Sequence, residues 1–508
     1  MNEKFSSTWI LLFCGLVVLL CGSFQLPLLD RDEPRFSRAT VEMAEKGNWV
    51  IPYFNGEYRF DKPPLTYWWM GVHHWIFGVN EFSSRLHSIL ATLLVGLWMI
   101  YRGKIWVGDQ AARIGGLMWI LNLQVWQHGR LALADMPMVL GVCLAMDGLW
   151  HCIFGDGKQR KAARFLLWGA LAFGFLAKGP IVLALPLLVW LALVISKKSR
   201  FREIKHFQPI TGLIVFLLLI GLWGIPALVM TNGEFGREGL GKHVIERGVS
   251  SFNDRSYSPF FYLITFFLSI FPWCLRLITL GKPLLGFRKT NAGFFLFCWF
   301  VSPFLIFSFY STQLPHYILP GFPAFFLLLA KGLSEIRLNQ NKLMPWVEIF
   351  FSIALLLAIG FGKDFIDPNF PETLIPFLGF VLLSFLWIPW FFLRNFKIFT
   401  AVSIICLGVA SFFAARTIRA EHLTLRIANV LEGQTKMNEF RYSSFAEPSL
   451  VFYLGGPWRF VNEGAQDPNF QNSMQIVRKK PQEETGWQKV QGFNPGRGKR
   501  ETVWVRLP

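Results

Sequence analysis

Charged side chains and cysteines are both scarce in this sequence. Lys, Arg, Asp and Glu make up only 16% of its 508 residues, whereas 53% are hydrophobic and the mean hydropathy is +0.40. This apolar content exceeds what the core of a soluble protein needs. The seven cysteines form no CxxC pair and none lies in a long polar loop, which argues against disulfides and thiolate metal sites. The composition therefore predicts a polytopic membrane protein.

Acidic residues are outnumbered by basic ones, 32 against 50, which gives a formal net charge of +18. Such an excess can indicate nucleic-acid binding, but here the basic residues follow the apolar runs. Loops on one side of the predicted spans hold 20 Lys or Arg, whereas the short loops opposite hold only Arg130, Lys178 and Lys363. By the positive-inside rule the basic loops and the N-terminus are cytoplasmic. We therefore expect a lipid bilayer as partner and no nucleic acid.

Long apolar runs are abundant, and about 17–22 apolar residues suffice for a membrane-spanning helix. The sequence predicts thirteen such spans, at residues 8–26, 84–101, 111–127, 132–153, 163–177, 179–196, 209–231, 258–280, 292–311, 316–334, 345–361, 373–393 and 398–415. The fold expected is an all-α polytopic membrane domain over residues 1–415. With a cytoplasmic N-terminus, the odd number of spans places the loops 27–83 and 232–257 on the outer side.

The tail, residues 416–508, differs in character because its apolar runs are short and separated by turn residues. Such a pattern is typical of short strands. We expect a small α/β domain, and the odd number of spans places it on the outer surface.

Residues 30–69 form the first long polar stretch. Asp32 and Glu33 precede Pro34, and the following residues keep a helical period up to Gly47. Proline in the first turn and glycine after the last one mark the ends of a helix. At a helix N-terminus the unpaired N–H groups and the helix dipole favour ionised Asp32. A capping role alone is the alternative to a catalytic one.

The same stretch closes on Asp61 and Lys62, which two prolines hold in an extended corner. The segment that follows, residues 64–78, is rich in Trp, Tyr and His. Aromatic residues of this kind favour the headgroup level of a bilayer. The segment therefore predicts a second helix at the membrane interface.

Other ionisable residues lie at the outer ends of the spans, where they are costly unless they face protein or water. Asp135 opens one span, Lys178 sits at a predicted helix break before Gly179 and Pro180, and Tyr317 lies among prolines. Asp147 differs, because it lies near the cytoplasmic end of its span and is expected to be structural. The cations on the outer side suit a phosphate-bearing lipid, which needs charge-assisted donors.

Five motifs occur in an order that resembles the C-type-fold membrane glycosyltransferases. The similarity is greatest to the aminoarabinose (4-amino-4-deoxy-L-arabinose) lipid A transferases, which are related to protein O-mannosyltransferases. The motifs are DEPRF (32–36), NWVIPYFNGEYRFDKPPLTYW (48–68), GRLALADMP (129–137), AKGPIVLALP (177–186) and LPHYILPGFPA (314–324). The resemblance implies inverting transfer of a sugar from a polyprenyl (undecaprenyl) phosphate to lipid A or a related envelope acceptor. It places this reaction on the periplasmic face of the bacterial inner membrane, with the N-terminus cytoplasmic and the C-terminus periplasmic.

The resemblance also implies roles for individual residues. Asp32 matches the catalytic acidic position and Asp135 the second functional aspartate, and Glu33 is a neighbouring catalytic candidate. The residues that match donor-phosphate or substrate-binding positions are Arg35, Lys62, Lys178, Arg247 and Tyr317, and the further candidates are Arg130, His243 and Asp61. In two places the chain departs from the pattern, with Asp61 where close relatives usually have Glu and Ala177 where many have Thr.

Polyprenyl phosphate is already a good leaving group, so the expected reaction requires no nucleotide or other cofactor, and it is compatible with a divalent cation. Two alternatives stay open, a protein O-mannosyltransferase-like enzyme and a flippase or other transporter of a lipid-linked sugar. A transporter should place its ionisable residues near mid-membrane in two related halves. This sequence places them at one surface, which favours the enzyme but leaves the sugar, the acceptor, metal dependence and oligomeric state open.

Overall fold

The computed structural model describes residues 9, 13, 15–239, 260–279, 286–335, 397–431, 441–460, 474–479, 486–494, 496–497 and 499–506. Residues 15–20 belong to an N-terminal helix. The later α-helices are α1 Asp32–Glu45, α2 Leu65–Phe77, α3 Glu81–Tyr101, α4 Lys104–Val107, α5 Asp109–Ile120, α6 Leu123–Gly129, α7 Asp135–Phe154, α8 Gly157–Lys178, α9 Ile181–Ile195, α10 Pro209–Met230, α11 Phe261–Ser269, α12 Asn291–Phe307, α13 Phe322–Glu335, α14 Lys397–Glu421, α15 Leu423–Val430 and α16 Pro448–Leu454. Three 3-10 helices occupy Phe201–Phe207, Trp273–Thr279 and Pro315–Gly321.

Several helices are long and apolar enough to cross a membrane. Within the described residues four such segments occur, at Glu81–Val107, Asp135–Phe154, Pro209–Met230 and Pro315–Glu335. The shorter helices α9 and α12 are also apolar. These helices agree with the predicted multi-pass membrane protein. The count of thirteen spans stays a prediction, and two of its spans, 345–361 and 373–393, lie outside the described residues.

Two predicted spans are not single helices. The span predicted at 111–127 is divided between α5 and α6, because Asn122 accepts a hydrogen bond from the backbone N–H of Val125 and so caps α6. Its amide also donates to the carbonyls of Ser269 and Phe271, at 3.0 and 2.9 Å. The span predicted at 258–280 is divided too, because α11 ends at Ser269 and a 3-10 helix follows.

The polar stretch after the first span folds into the two helices that the sequence predicts. Pro34 lies in the first turn of α1, and Gly47 follows its end with a φ of 63°. The apolar face of α1 packs on α2 in one buried cluster, whose members include Phe36, Met43 and Tyr67. Ala132 and Ala134 complete this cluster. The segment that leads to Asp135 is therefore packed between the two surface helices.

The C-terminal part contains a five-stranded sheet in the order β4-β3-β5-β7-β6. Its strands are β3 Arg441–Ser443, β4 Arg459–Phe460, β5 Met474–Val477, β6 Trp487–Asn494 and β7 Lys499–Arg506, and the short hairpin of the outer loop consists of β1 Tyr53–Phe54 and β2 Glu57–Tyr58. Strand β3 pairs in parallel with β4 and β5, and β7 pairs antiparallel with β5 and β6. This sheet agrees with the small C-terminal α/β unit expected from the sequence, whereas helix α14 runs through the predicted boundary at residue 415.

The C-terminal part contacts the outer loop directly. Asn55, in the turn of the β1-β2 hairpin, donates to the Trp458 carbonyl at 2.8 Å and accepts from the Trp458 N–H at 2.7 Å. Asp30, two residues before Asp32, accepts hydrogen bonds from the backbone N–H and the hydroxyl of Ser449. The C-terminal part is thus attached to the segment that carries the candidate site at two points, just before α1 and at the β1-β2 hairpin.

Candidate functional site

A cavity of about 310 Å³ lies between the loop that carries Lys62 and the helices α7, α8, α9 and α12, together with the 3-10 helix Pro315–Gly321. Its polar lining comes from Lys62, Lys178, Tyr310 and Tyr317, and its apolar lining from Met138, Pro180, Ile181, Ala184, Ile306 and Phe307. Two cations thus share one cavity with a largely apolar wall. Such a site can take a ligand with an anionic head and a hydrocarbon chain.

Lys178 occupies the end of α8 for a local reason. Gly179 follows it with a φ of 97°, a conformation that favours glycine, and Pro180 precedes the first residue of the next helix. The predicted helix break at these residues is therefore confirmed. The lysine lies at a helix C-terminus, where the helix dipole favours a positive charge.

Beside the cavity, the ammonium of Lys178 donates to the carboxylate of Asp135, which is only 6% exposed. His316 Nε2 lies 3.8 Å from Asp135 Oδ1, and the ring of His128 lies 4.7 Å from that of His316. The Lys178 ammonium is also 5.4 Å from the centre of the Tyr317 ring. The structure therefore brings together three residues that the sequence analysis selected and two histidines that it did not.

Lys62 approaches the cavity from the outer loop. Its ammonium donates to the Asp61 carbonyl at 3.1 Å. The Asp61 carboxylate pairs with Arg59 at 3.3 Å, and Arg59 donates to the Tyr67 hydroxyl at 3.1 Å. The Arg59 guanidinium also lies 5.2 Å from the centre of the Phe36 ring. The corner that carries Lys62 is therefore fixed to α1 and α2 by Arg59.

Asp32 and Arg35 lie in the first turn of α1, where Asp32 is exposed and Arg35 is half-buried. Burial lowers the pKa of Arg35 and the nearby Arg59 lowers it further, whereas the charges of Asp32 and Asp61 act in the opposite direction. These four side chains form one group of alternating charges. An exposed carboxylate among cations can accept a proton or orient a charged substrate.

Glu33 and Arg130 have other surroundings. Glu33 is 2% exposed and bonded to Arg85 and to backbone N–H groups, a geometry that does not fit the catalytic role expected from the sequence. Arg130 is 5% exposed and lies 4.8 Å from the centre of the Trp126 ring, and burial lowers its pKa to about 9. Neither residue is among those that line the cavity.

Two selected residues, His243 and Arg247, lie outside the described part of the chain. Conversely, sequence reasoning missed His128, His316 and Arg59. His316 directly precedes Tyr317 and Arg59 stands two positions before Asp61, so their proximity to selected residues was an available signal. In the described ranges no group of three or more His, Cys, Asp or Glu side chains is arranged to hold a metal ion.

Comparison with known proteins adds to this geometry. Residues 26–234 match the family described as dolichyl-phosphate-mannose-protein mannosyltransferase. The undecaprenyl phosphate-alpha-4-amino-4-deoxy-L-arabinose arabinosyl transferase of Yersinia pestis (strain Pestoides F) is 29% identical over 382 residues, which cover 72% of this chain and 68% of the relative. The protein of the same description from Pectobacterium atrosepticum is 28% identical over 386 residues, which cover 73% and 68%.

The fold is shared with a solved structure. The crystal structure of ArnT from Cupriavidus metallidurans bound to undecaprenyl phosphate superposes with a TM-score of 0.81 at 19% identity and covers 97% of both chains. The same protein in the apo state gives the same values. The architecture is therefore common to the two proteins over nearly their whole length.

Proposed function

We propose a reaction for this chain from the premise that it is a membrane glycosyltransferase of the C-type fold, related to the aminoarabinose transferases and the protein mannosyltransferases. In this proposal it moves a sugar of the aminoarabinose type from undecaprenyl phosphate to lipid A or a related envelope acceptor. The transfer inverts the anomeric centre and takes place at the periplasmic face of the inner membrane.

The cavity is the observation that supports this donor best. Lys62 and Lys178 supply positive charge to its lining, while Met138, Ile181 and Phe307 supply apolar surface. A polyprenyl phosphate has the matching combination of an anionic head and an isoprenoid chain. The two ammonium groups would bind the phosphate most strongly as it leaves and gains charge, and this difference lowers the barrier.

The reaction balances without a cofactor. The bond between the anomeric carbon and the phosphate oxygen breaks, its electron pair leaves with the phosphate, and the acceptor oxygen bonds to the opposite face of the carbon. If the acceptor is a hydroxyl, Asp32 takes its proton as general base. If it is a phosphate, whose second pKa is near 6, the nucleophile is largely ionised and Asp32 orients it.

The remaining selected residues have supporting roles in this proposal. Asp135 positions Lys178 through their hydrogen bond, and Tyr317 lies beside the same lysine. Arg35 lies near Asp32, where it would bind a negatively charged part of a substrate. Asp61 keeps its contact with Arg59 next to Lys62. Arg130, Arg247 and His243 stay candidates from the sequence.

The orientation in the membrane is part of the proposal. Basic loops place the N-terminus in the cytoplasm, and the predicted spans place the C-terminus in the periplasm. Reporter fusions after Leu338 and after Pro508 should therefore report opposite compartments. The same compartment for both would remove a span after Leu338 and contradict opposite sides for the basic loops and the C-terminal part.

The test of the donor site is a transfer assay with purified protein and undecaprenyl-phosphate-linked aminoarabinose. Lys62→Met should reduce turnover by about 10²–10³-fold, as expected when one donor to a developing charge is removed. Lys104→Met removes the same charge from the exposed start of α4 and should leave turnover near that of the wild type. Full activity of Lys62→Met at subsaturating donor would refute the phosphate-binding role.

A protein acceptor is the second candidate, because the mannosyltransferase family match spans residues 26–234 and so includes the outer loop with Asp32 and Lys62. Mass spectrometry of lipid A and of envelope proteins, from cells with and without this protein, distinguishes the two. A sugar gained only on lipid A supports the first proposal, and a hexose gained only on proteins supports the second.

A further inference from the structure

Glu33 is adjacent to Asp32 in α1, but its side chain is directed into the protein. Glu33 is 2% exposed, whereas Asp32 is exposed at the helix start. Its Oε1 accepts from Arg85 Nε at 2.8 Å and from the Ala132 N–H at 2.7 Å. Its Oε2 accepts from Arg85 Nη2 at 2.8 Å and from the Leu29 N–H at 2.9 Å. A carboxylate has about four acceptor positions, so these bonds leave none for a reacting group.

The partner is equally saturated. Arg85 is 0% exposed, and a guanidinium has five N–H donors. Two of them go to Glu33, and the other three reach backbone carbonyls. These carbonyls belong to Ser23 at 3.1 Å, Leu26 at 2.6 Å and Pro27 at 2.8 Å. The pair therefore fixes α3, the start of α1 and the segment that precedes α1 at one buried point.

The contact with Ala132 connects this point to the second aspartate. Ala132 lies three residues before Asp135, in the segment packed between α1 and α2. Asp32 and Asp135 are 103 positions apart in the sequence. The Glu33 carboxylate nevertheless accepts from the backbone N–H groups of Leu29 and Ala132, which lie three residues before Asp32 and Asp135, respectively. We propose that Glu33 is a positioning residue that sets the separation of Asp32 from the Asp135–Lys178 pair. This inference rests on the roles assigned to these residues in the proposed function.

Glu33→Gln tests the proposal, because it keeps the shape but replaces one acceptor oxygen by a donor that opposes the N–H groups of Arg85 and Leu29. We expect kcat to fall about 10- to 100-fold, the order of effect that misplacement by about 1 Å produces. The KM for the donor should change less than about threefold, since no residue that lines the cavity is substituted.

Glu81→Gln is the matched control. Glu81 is a buried carboxylate in the first turn of α3 and pairs with Arg419 at 2.7 Å, but it has no hydrogen bond to the segment before Asp135 among the contacts of the described residues. Its loss should lower stability and leave kcat near that of the wild type. If Glu33→Gln does not fold, Glu33→Asp is the alternative variant. It keeps the negative charge that pairs with Arg85, but its shorter side chain does not reach the Ala132 N–H, and we expect the same loss of kcat.

Hydrogen exchange of the amides at 130–134 provides a readout independent of activity, and it should speed up in the Glu33 variants but not in Glu81→Gln. A folded Glu33→Gln with wild-type kcat, or with unchanged exchange at these amides, would overturn the proposal. An inactive wild type that still shows the exchange difference would refute the proposed function and leave the structural link intact.

Discussion

Lys178 and Asp135 form a salt bridge that joins the last residue of α8 to the first residue of α7. The two helices are consecutive and antiparallel, so their outer ends meet beside the cavity. The carboxylate is buried and the ammonium lines the cavity. One partner therefore holds the other in the position where it can contact a donor phosphate.

This salt bridge predicts different effects for its two residues. Asp135→Asn leaves a largely buried ammonium without its partner, and breaking such a pair typically costs about 3–5 kcal/mol of stability. Lys178→Met should weaken binding of undecaprenyl phosphate, whereas Asp135→Asn should retain binding and reduce kcat. Thermal unfolding and lipid binding of both variants and of the double variant provide the measurement. The stability effects should couple by about 0.5–3 kcal/mol, and strictly additive effects would contradict a direct pair.

For Asp147, unlike Asp135, we expect substitution to lower stability without lowering kcat. It lies twelve residues after Asp135 on α7 and accepts from Arg102 at 2.7 and 3.1 Å. These contacts agree with the structural role expected from the sequence. Asp147→Asn should lower the free energy of unfolding by about 1–3 kcal/mol, because the buried carboxylate is lost together with its charge-assisted hydrogen bonds to the partly exposed Arg102, with kcat within about twofold. Asp109→Asn, in an exposed pair with Arg113, should cost less than about 1 kcal/mol.

A reduced kcat in Asp147→Asn at matched folding would connect the second half of α7 to the reaction. That result would contradict the proposal that all the chemistry takes place at the Asp135 end of this helix.

The sequence predicts those features whose causes are local. Pro34 and Gly47 bound α1, and Gly179 with Pro180 separates α8 from α9, because proline and glycine restrict or permit backbone conformations wherever they occur. The corner at Lys62 also has a local cause, the two prolines that follow it. The predicted topology placed Asp135 and Lys178 on one face, but their direct salt bridge is a contact that no local rule supplies.

The features that the sequence did not predict depend on contacts between distant segments. The Glu33–Arg85 pair joins residues 52 positions apart, and periodicity contains no information about such a pairing. The break at Asn122 is stabilised by carbonyls about 150 positions later. The position of Arg85 in an apolar run did indicate that this residue has a partner, because a buried guanidinium requires hydrogen-bond acceptors.

The contact of Asp30 with Ser449 predicts a pH dependence. The pKa of the Asp30 carboxyl is raised from 3.8 to about 7, mainly because the group is buried and with a smaller contribution from Glu447, while the hydrogen bonds from Ser449 and the charge of Arg35 act against this rise. A raised pKa means that folding favours the protonated form. The stabilising contribution is therefore complete below the ordinary pKa of 3.8 and is lost as the pH rises through about 7.

Asp30→Asn should remove this dependence, because the amide imitates the neutral carboxyl. From about pH 5 to about pH 8 the Tm of the wild type should fall relative to that of Asp30→Asn. Ser449→Ala removes a hydrogen bond that lowers the pKa of Asp30, so in this variant the fall should move to higher pH. Parallel Tm curves for the wild type and Asp30→Asn would show that the carboxyl does not titrate in this range.

Asp32 provides the most direct test of the enzyme. Asp32→Asn keeps the shape and much of the hydrogen-bond acceptance but removes charge and basicity. If Asp32 only caps α1, the substitution should cost less than about 1 kcal/mol of stability and little activity. If it is the general base, turnover with a hydroxyl acceptor should fall by about 10²–10⁴-fold, which corresponds to about 3–5.5 kcal/mol of barrier.

The acceptor decides how this result is interpreted. With a phosphate acceptor the nucleophile is already ionised, so a small loss in Asp32→Asn would support an orienting role. The assay compares purified wild type and variant at verified folding, with the polyprenyl-phosphate sugar as donor and each acceptor in turn. The N-cap position of α1 is Arg31 and not Asp32, and no side-chain cap bond is present at that position, so the larger effect is expected. Near wild-type turnover with the hydroxyl acceptor would eliminate Asp32 as the base.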